Sequence, residues 1–218
     1  SKVIYEKNAY SRMYPASTTK IMTAILVLEN TNLTDVVTVS QNAVLSIPDG
    51  YSTAKLQIGE QLTVNQLLHA LLIPSANDAA VALAEYVAGS VDSFSSMMNT
   101  KAIELGCKNT HFVNPNGVHN EDHYSTAYDL ALIGRYAMQN DTFRSIVSTT
   151  QFSLPITNKY DLTDRIFHNT NELLSTSFQS TKQSYYYPSC TGIKTGYTDS
   201  AKNCIVASAK KDDIELIA

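Results

Sequence analysis

The sequence predicts an α+β fold, an antiparallel sheet flanked by helices with an all-helical lobe inserted beside it. Three observations carry this: a short β-rich stretch opens the chain, helical patterns crowd its middle, and three short β-rich runs close it. At 218 residues, 44% of them apolar, the chain is long enough to bury a sizeable core. It reads as one domain, 1–218, with the sheet drawn from residues near 1–7 and 190–218 and the helical lobe spanning roughly 60–140.

Taken in order, Lys2-Val3-Ile4-Tyr5-Glu6 reads as a strand, and residues 8–15 as a loop feeding a helix. From Thr18 to Leu28 the apolar residues Ile21, Met22, Ala24, Ile25, Leu26, Val27 and Leu28 wrap nearly all sides, as in a helix buried at a domain centre. Asn30 and Asn32 end it. Thr63 is placed to cap a helix over 64–73, which Pro74 breaks. A second helix runs from about Asn77 to Ala88 with Gly89 at its end, and a third reaches Leu105 before Gly106. Ser125 or Thr126 opens another, through Met138. The runs 193–197, 204–207 and 214–217 then read as successive antiparallel strands joined by short turns.

Composition excludes several classes of function. The formal charge of -4 comes from mixed acidic and basic residues with no basic run, which argues against nucleic acid as a partner. The apolar stretch Ala24–Leu28 falls far short of the roughly 20 residues a membrane span needs, so membrane contact is expected only through segments absent from this chain. No apolar leader precedes Ser1, and the text stops at Ala218 inside an expected strand, so truncation at the C-terminus is expected. Cys107, Cys190 and Cys204 show neither zinc-ligand nor disulfide-framework spacing.

Three short motifs carry chemistry. Ser17-Thr18-Thr19-Lys20 sets a hydroxyl and an amine at i and i+3, neighbours on one helix face, at a helix start where backbone N–H groups and the dipole favour developing negative charge. Average usage gives on the order of one such match in a chain this long, and Ser52–Lys55 and Ser208–Lys211 are two more. Ser17 differs because it alone opens a buried helix. Ser75-Ala76-Asn77 follows Pro74 in the break between two helices, where helix capping is the competing explanation; Ser40-Gln41-Asn42 has the same spacing. Lys194-Thr195-Gly196 occurs once, on an expected strand, where Gly196 would permit close approach of another backbone.

S-x-x-K, S-x-N and K-T-G in this order form the set found in penicillin-binding proteins and class A β-lactamases. The flanking text narrows it. Residues 14–24 around Ser17, 73–80 around Ser75, His111-Phe112-Val113-Asn114-Pro115-Asn116-Gly117, and Gly192–Thr198 together resemble the D-alanyl-D-alanine carboxypeptidases of the low-molecular-mass penicillin-binding proteins, over nearly the whole chain.

The resemblance implies the penicillin-binding protein and β-lactamase-like transpeptidase fold, and a role for each motif residue. Ser17 would attack a carbonyl and Lys20 would take its proton. Burial and the nearby Lys194 would lower the pKa of Lys20 so that it could act as a base. Ser75 would relay a proton between Lys20 or Lys194 and the leaving amine, and Asn77 would orient Lys20 and hold the substrate amide. Lys194 and Thr195 would bind the substrate's terminal carboxylate. Backbone N–H groups of Ser17 and Tyr197, beside Gly196, would form the oxyanion hole.

The implied partners are peptidoglycan stem peptides ending in D-Ala-D-Ala and β-lactam antibiotics that acylate the same serine. The implied location is extracytoplasmic, at the outer face of the bacterial cell membrane or secreted. Neither metal nor cofactor is implied, and His111, His119 and His123 read as solvated loop histidines. Three alternatives share the acylation chemistry: a DD-endopeptidase, a β-lactam-binding sensor, and a β-lactamase. The last is disfavoured because no Glu-x-x-Leu-Asn, the usual source of the class A deacylation base, occurs. Tyr197 stands where the family often has His. If residues 192–197 and 203–208 pair in a hairpin, Cys204 lies near Thr195, too far along the partner strand from Cys190 for a disulfide.

Overall fold

Every residue from Lys20 to Val27 is buried in helix α1 (Lys20–Asn30), the element around which the helices pack in a computed structural model that describes residues 2–161, 165–177 and 184–218. A 3-10 turn, Ala16–Thr19, leads into α1. Then follow β1 (Val36–Thr38), α2 (Gln41–Leu45), β2 (Gln61–Thr63), α3 (Val64–Leu72), α4 (Asn77–Ala88), α5 (Val91–Glu104), α6 (Ala127–Ala137) and α7 (Asp141–Ser148). The chain continues through β3 (Gln151–Leu154), β4 (Arg165–His168), β5 (Cys190–Thr198), β6 (Lys202–Lys211) and β7 (Ile214–Ile217). Helix α1 touches α3, α4, α5 and α6, which explains why its apolar residues leave no polar side.

Helix ends follow local chemistry. Thr63 Oγ1 accepts from the Gln66 N–H while Gln66 Oε1 accepts from the Thr63 N–H, a complete capping box that starts α3. Gly89, at φ 77°, turns the chain out of α4 in the left-handed region. Thr126 caps α6 by accepting from the Asp129 N–H. Ser40, the first residue of the other S-x-N, caps α2 and donates to Glu85. That motif is used for structure.

β5, β6 and β7 form one antiparallel sheet in that order, with Gly196 opposite Cys204 and Cys190 opposite Ala209. β5 lies against the 3-10 turn and α7. The expected strand over 2–6 is corrected: among the described residues it pairs with no strand, and Val3, Ile4 and Tyr5 are 52%, 70% and 80% exposed. Residue 1 lies outside the described residues. β-propensity makes a strand only where a partner edge offers hydrogen bonds, and these residues meet none.

The structure also contains α2, α7 and two two-stranded ladders, β1–β2 and β3–β4, that periodicity did not show. The strands have three or four residues each, too few to display a period. They are held by their partners, and two buried carboxylates tie down the chain around them. Asp78 accepts the Ala54 and Leu56 N–H groups, tying the segment beneath Ser52 to α4. Glu60, fully buried, receives the guanidinium of Arg165 at 2.5 and 3.3 Å, and Arg165 stacks over Tyr160.

Candidate active site

The 3-10 turn puts Ser17 at the base of a cleft of about 800 Å³. Ser75, Asn77, Thr195, Gly196 and Tyr197 line it as well, together with residues 49–52 and 170–173. Two non-glycine residues here have left-handed backbones: Ala16, at φ 47°, just before Ser17, and Ser75, at φ 67°. Each costs ~1–3 kcal/mol, and packing around them must compensate. At Ala16 that packing is Gly117, where an added Cβ would fall 1.9 Å from the Ala16 carbonyl oxygen.

Lys20 is fully buried, with its Nζ 2.9 Å from Ser17 Oγ, 2.8 Å from Asn77 Oδ1 and 2.7 Å from the Asn116 carbonyl oxygen. A neutral amine has two N–H donors and one lone pair. With the Asn77 and Asn116 oxygens taking the two donors, the lone pair is left for the Ser17 hydroxyl proton. Burial, and secondarily the charge of Lys194, hold the Lys20 pKa well below its ordinary value, with Asp78 opposing weakly.

Lys194 is 1% exposed, and burial brings its pKa down to about 7. Its Nζ donates to the Thr195 carbonyl at 3.0 Å. Alternate residues of a strand face opposite sides, so Lys194 shares the face of Gly196, toward the Ser17 turn, while Thr195 and Tyr197 share the other. Lys194 is accordingly absent from the cleft lining, whereas Thr195 is present and its Oγ1 lies 2.5 Å from Thr170 Oγ1. Lys194 thus lies just beneath the cleft surface, next to Thr195. At Gly196 an added Cβ would sit 2.8 Å from the Ser17 nitrogen, so the sheet edge and the turn approach as only glycine permits.

Ser75 is 6% exposed, and its hydroxyl has no hydrogen-bond partner among the described residues, so the expected link from Ser75 to either lysine is not made here. Asn77 spans the gap: its Oδ1 accepts from Lys20 and its Nδ2 donates to the Ser52 carbonyl at 2.9 Å. Ser52 was one of the discounted S-x-x-K serines. It belongs to the cleft through its backbone, an arrangement no side-chain motif encodes.

The histidine reading is corrected for His123, while His119 is exposed as expected. His123 is 2% exposed, 2.8 Å from Thr19 Oγ1, and its Nδ1 accepts the Val113 N–H at 3.0 Å. Sequence polarity around it suggested solvent, but the loop folds back onto α1. The Asn116 carbonyl was also missed as a site group; the signal available was the Asn114–Gly117 turn, closed by Asn114 Oδ1 accepting the Gly117 N–H. Cys107, Cys190 and Cys204 are thiols, with Cys204 in the cleft wall. Among the described residues no cluster of three or more His, Cys, Asp or Glu could hold a metal, and no helix is long and apolar enough to cross a membrane.

A cleft serine paired with a buried lysine, between a helical layer and a glycine-marked sheet edge, defines the class of serine–lysine penicillin-binding folds. The chain belongs to the D-alanyl-D-alanine carboxypeptidase family, whose model matches residues 1–218. It is 40% identical over 224 residues to the D-alanyl-D-alanine carboxypeptidase DacF of Bacillus subtilis, covering 100% of this chain and 53% of that protein. It is 39% identical over 225 residues to a Streptomyces sp. D-alanyl-D-alanine carboxypeptidase, covering 95% and 72%. The crystal structure of a Streptomyces DD-transpeptidase superposes with a TM-score of 0.86 at 38% identity, over 98% of this chain and 82% of that one. The chain thus spans about half the length of the Bacillus relative.

Proposed function

We propose that this chain is the catalytic unit of an extracytoplasmic serine-type D-Ala-D-Ala carboxypeptidase, acting on peptidoglycan stem peptides and acylated by β-lactams at Ser17. The observation that carries the reading is the Lys20 amine, dry, depressed in pKa and 2.9 Å from Ser17 Oγ. Lys20 removes the Ser17 proton as Oγ bonds to the penultimate D-Ala carbonyl carbon. The Ser17 and Tyr197 backbone N–H groups, brought together by the closeness of Gly196 to the turn, stabilise the oxyanion. The C–N bond then breaks and the leaving amine takes a proton through Ser75, whose unpaired hydroxyl awaits a partner in the cleft. Asn77 orients Lys20 and the substrate amide. Thr195 hydrogen-bonds the terminal carboxylate in the field of Lys194, and water releases the acyl group.

Mass spectrometry after incubation with a penicillin, run beside assay of D-Ala release from a peptide ending in D-Ala-D-Ala, tests this. An adduct on Ser17 together with D-Ala release supports it. Rapid antibiotic hydrolysis points to a β-lactamase, an adduct without peptide turnover to a sensor, and no adduct sinks the reading. Because one relative is named a DD-transpeptidase, an added amine acceptor shows whether the acyl group also passes to an amine.

A further inference from the structure

The loop between His111 and Tyr124, whose backbones pair with each other, is fastened to the nucleophile's turn and helix at three places. Thr23 Oγ1 donates to the Pro115 carbonyl at 2.6 Å, Gly117 packs on the Ala16 carbonyl, and His123 Nε2 lies 2.8 Å from Thr19 Oγ1. Between these points the Asn116 carbonyl receives Lys20 Nζ. The Val113 N–H occupies His123 Nδ1, so the proton is on Nε2 and is donated to Thr19. Thr19 is fully buried, one residue before Lys20 and two after Ser17.

We propose that His123 is a positioning residue for acylation: its hydrogen bond to Thr19 holds the 113–123 loop on the Ser17 turn and thereby keeps the Asn116 carbonyl on the Lys20 amine. The inference rests on reading Lys20 as the base. Losing the Asn116 acceptor would leave the amine free to rotate its lone pair away from Ser17. His123 suits a permanent clamp because burial, reinforced by His111, His119 and Lys20, lowers its pKa to about 3, so it keeps the neutral tautomer through the neutral pH range. The Phe112 ring, edge-on at 5.5 Å, closes the pocket around it.

The test is stopped-flow acylation by a fluorescent penicillin, separating the non-covalent dissociation constant from the acylation rate constant, at a temperature well below each variant's Tm. Thr19→Val, which keeps volume and leaves the loop's own bonds intact, and His123→Phe should each lower the acylation rate constant about fivefold to tenfold, as expected for one net hydrogen bond acting only through the base. The dissociation constant should stay put. The double variant should be no slower than either single one. His123→Gln, whose amide nitrogen reaches the place of Nε2, should recover most of the rate. Unchanged acylation in folded Thr19→Val, losses that multiply in the double variant, or a shift confined to the dissociation constant would overturn the proposal. Absence of acylation in the unsubstituted protein would instead overturn the functional reading, so the two failures are told apart.

Discussion

Among the described residues two places bury cations, and they do it differently. Arg165 is buried with Glu60 in a bidentate pair whose carboxylate is fully enclosed, with Tyr160 over the guanidinium. Lys20 and Lys194 are equally buried but, among the described residues, neither forms an ion pair; their partners are the Ser17 hydroxyl, an amide oxygen and backbone carbonyls. The first arrangement sets opposite charges against each other and joins β4 to the loop before β2. The second cannot hold two full charges, and both lysine pKa values fall. The compensated pair is structural, whereas the two amines left without a carboxylate have their charged forms disfavoured, a pattern that collects at functional sites.

Substitutions at each place should separate stability from chemistry. Lys20→Met should lower acylation by a penicillin at least ~10³-fold, about 4 kcal/mol of barrier, because the proton acceptor is removed. Stopped-flow kinetics on protein that retains its circular dichroism would show it; a loss under tenfold would break the contrast. Glu60→Gln should behave oppositely, costing about 3–5 kcal/mol of unfolding free energy by urea titration because Arg165 is left uncompensated. Its folded fraction should acylate at the unsubstituted rate.

Lys194→Met should stabilise the fold at pH 7 by about 1–2 kcal/mol while impairing carboxylate substrates, a trade expected of a buried functional charge. The sign follows from linkage. Burial holds the folded pKa of Lys194 near 7, below its ordinary 10.5, so its protonation penalises the folded state fully below about 7 and not at all above the unfolded value. In the unsubstituted protein, affinity for a carboxylate ligand should fall as pH rises above about 7 and the cation is lost. Removing Lys194 also removes one of the causes depressing Lys20, so the acid limb of the acylation profile should move to higher pH. Smallest of all should be Lys101→Met. Lys101 pairs with Glu29 and Glu104 at the surface, and its loss should cost under about 1 kcal/mol in thermal unfolding.

Much of this was legible in the residues. The apolar wrap of 21–28 announced a central helix, Thr63 and Gly89 marked helix ends, and the S-x-x-K, S-x-N and K-T-G texts with their flanks pointed to one serine among three. These are local signals, written by hydrogen-bonding side chains and backbone conformation within a few residues. That residues 2–6 meet no partner strand, the short ladders, the burial of His123 and the backbone roles of Ser52 and Asn116 were not legible. Each depends on a partner far along the chain: Asn116 meets Lys20 across 96 residues and His123 meets Thr19 across 104.

The sequence by itself therefore determined the longer helices, the three closing strands and which side chains could do chemistry, because capping, periodicity and motif spacing act at short range. Only the tertiary structure decided that Lys20 is fully buried, that Lys194 lies beneath the cleft surface, and that two carbonyl oxygens meet the Lys20 amine beside Ser17. Desolvation and the direction of a lone pair are set by what packs around a group, and that is a property of the folded chain.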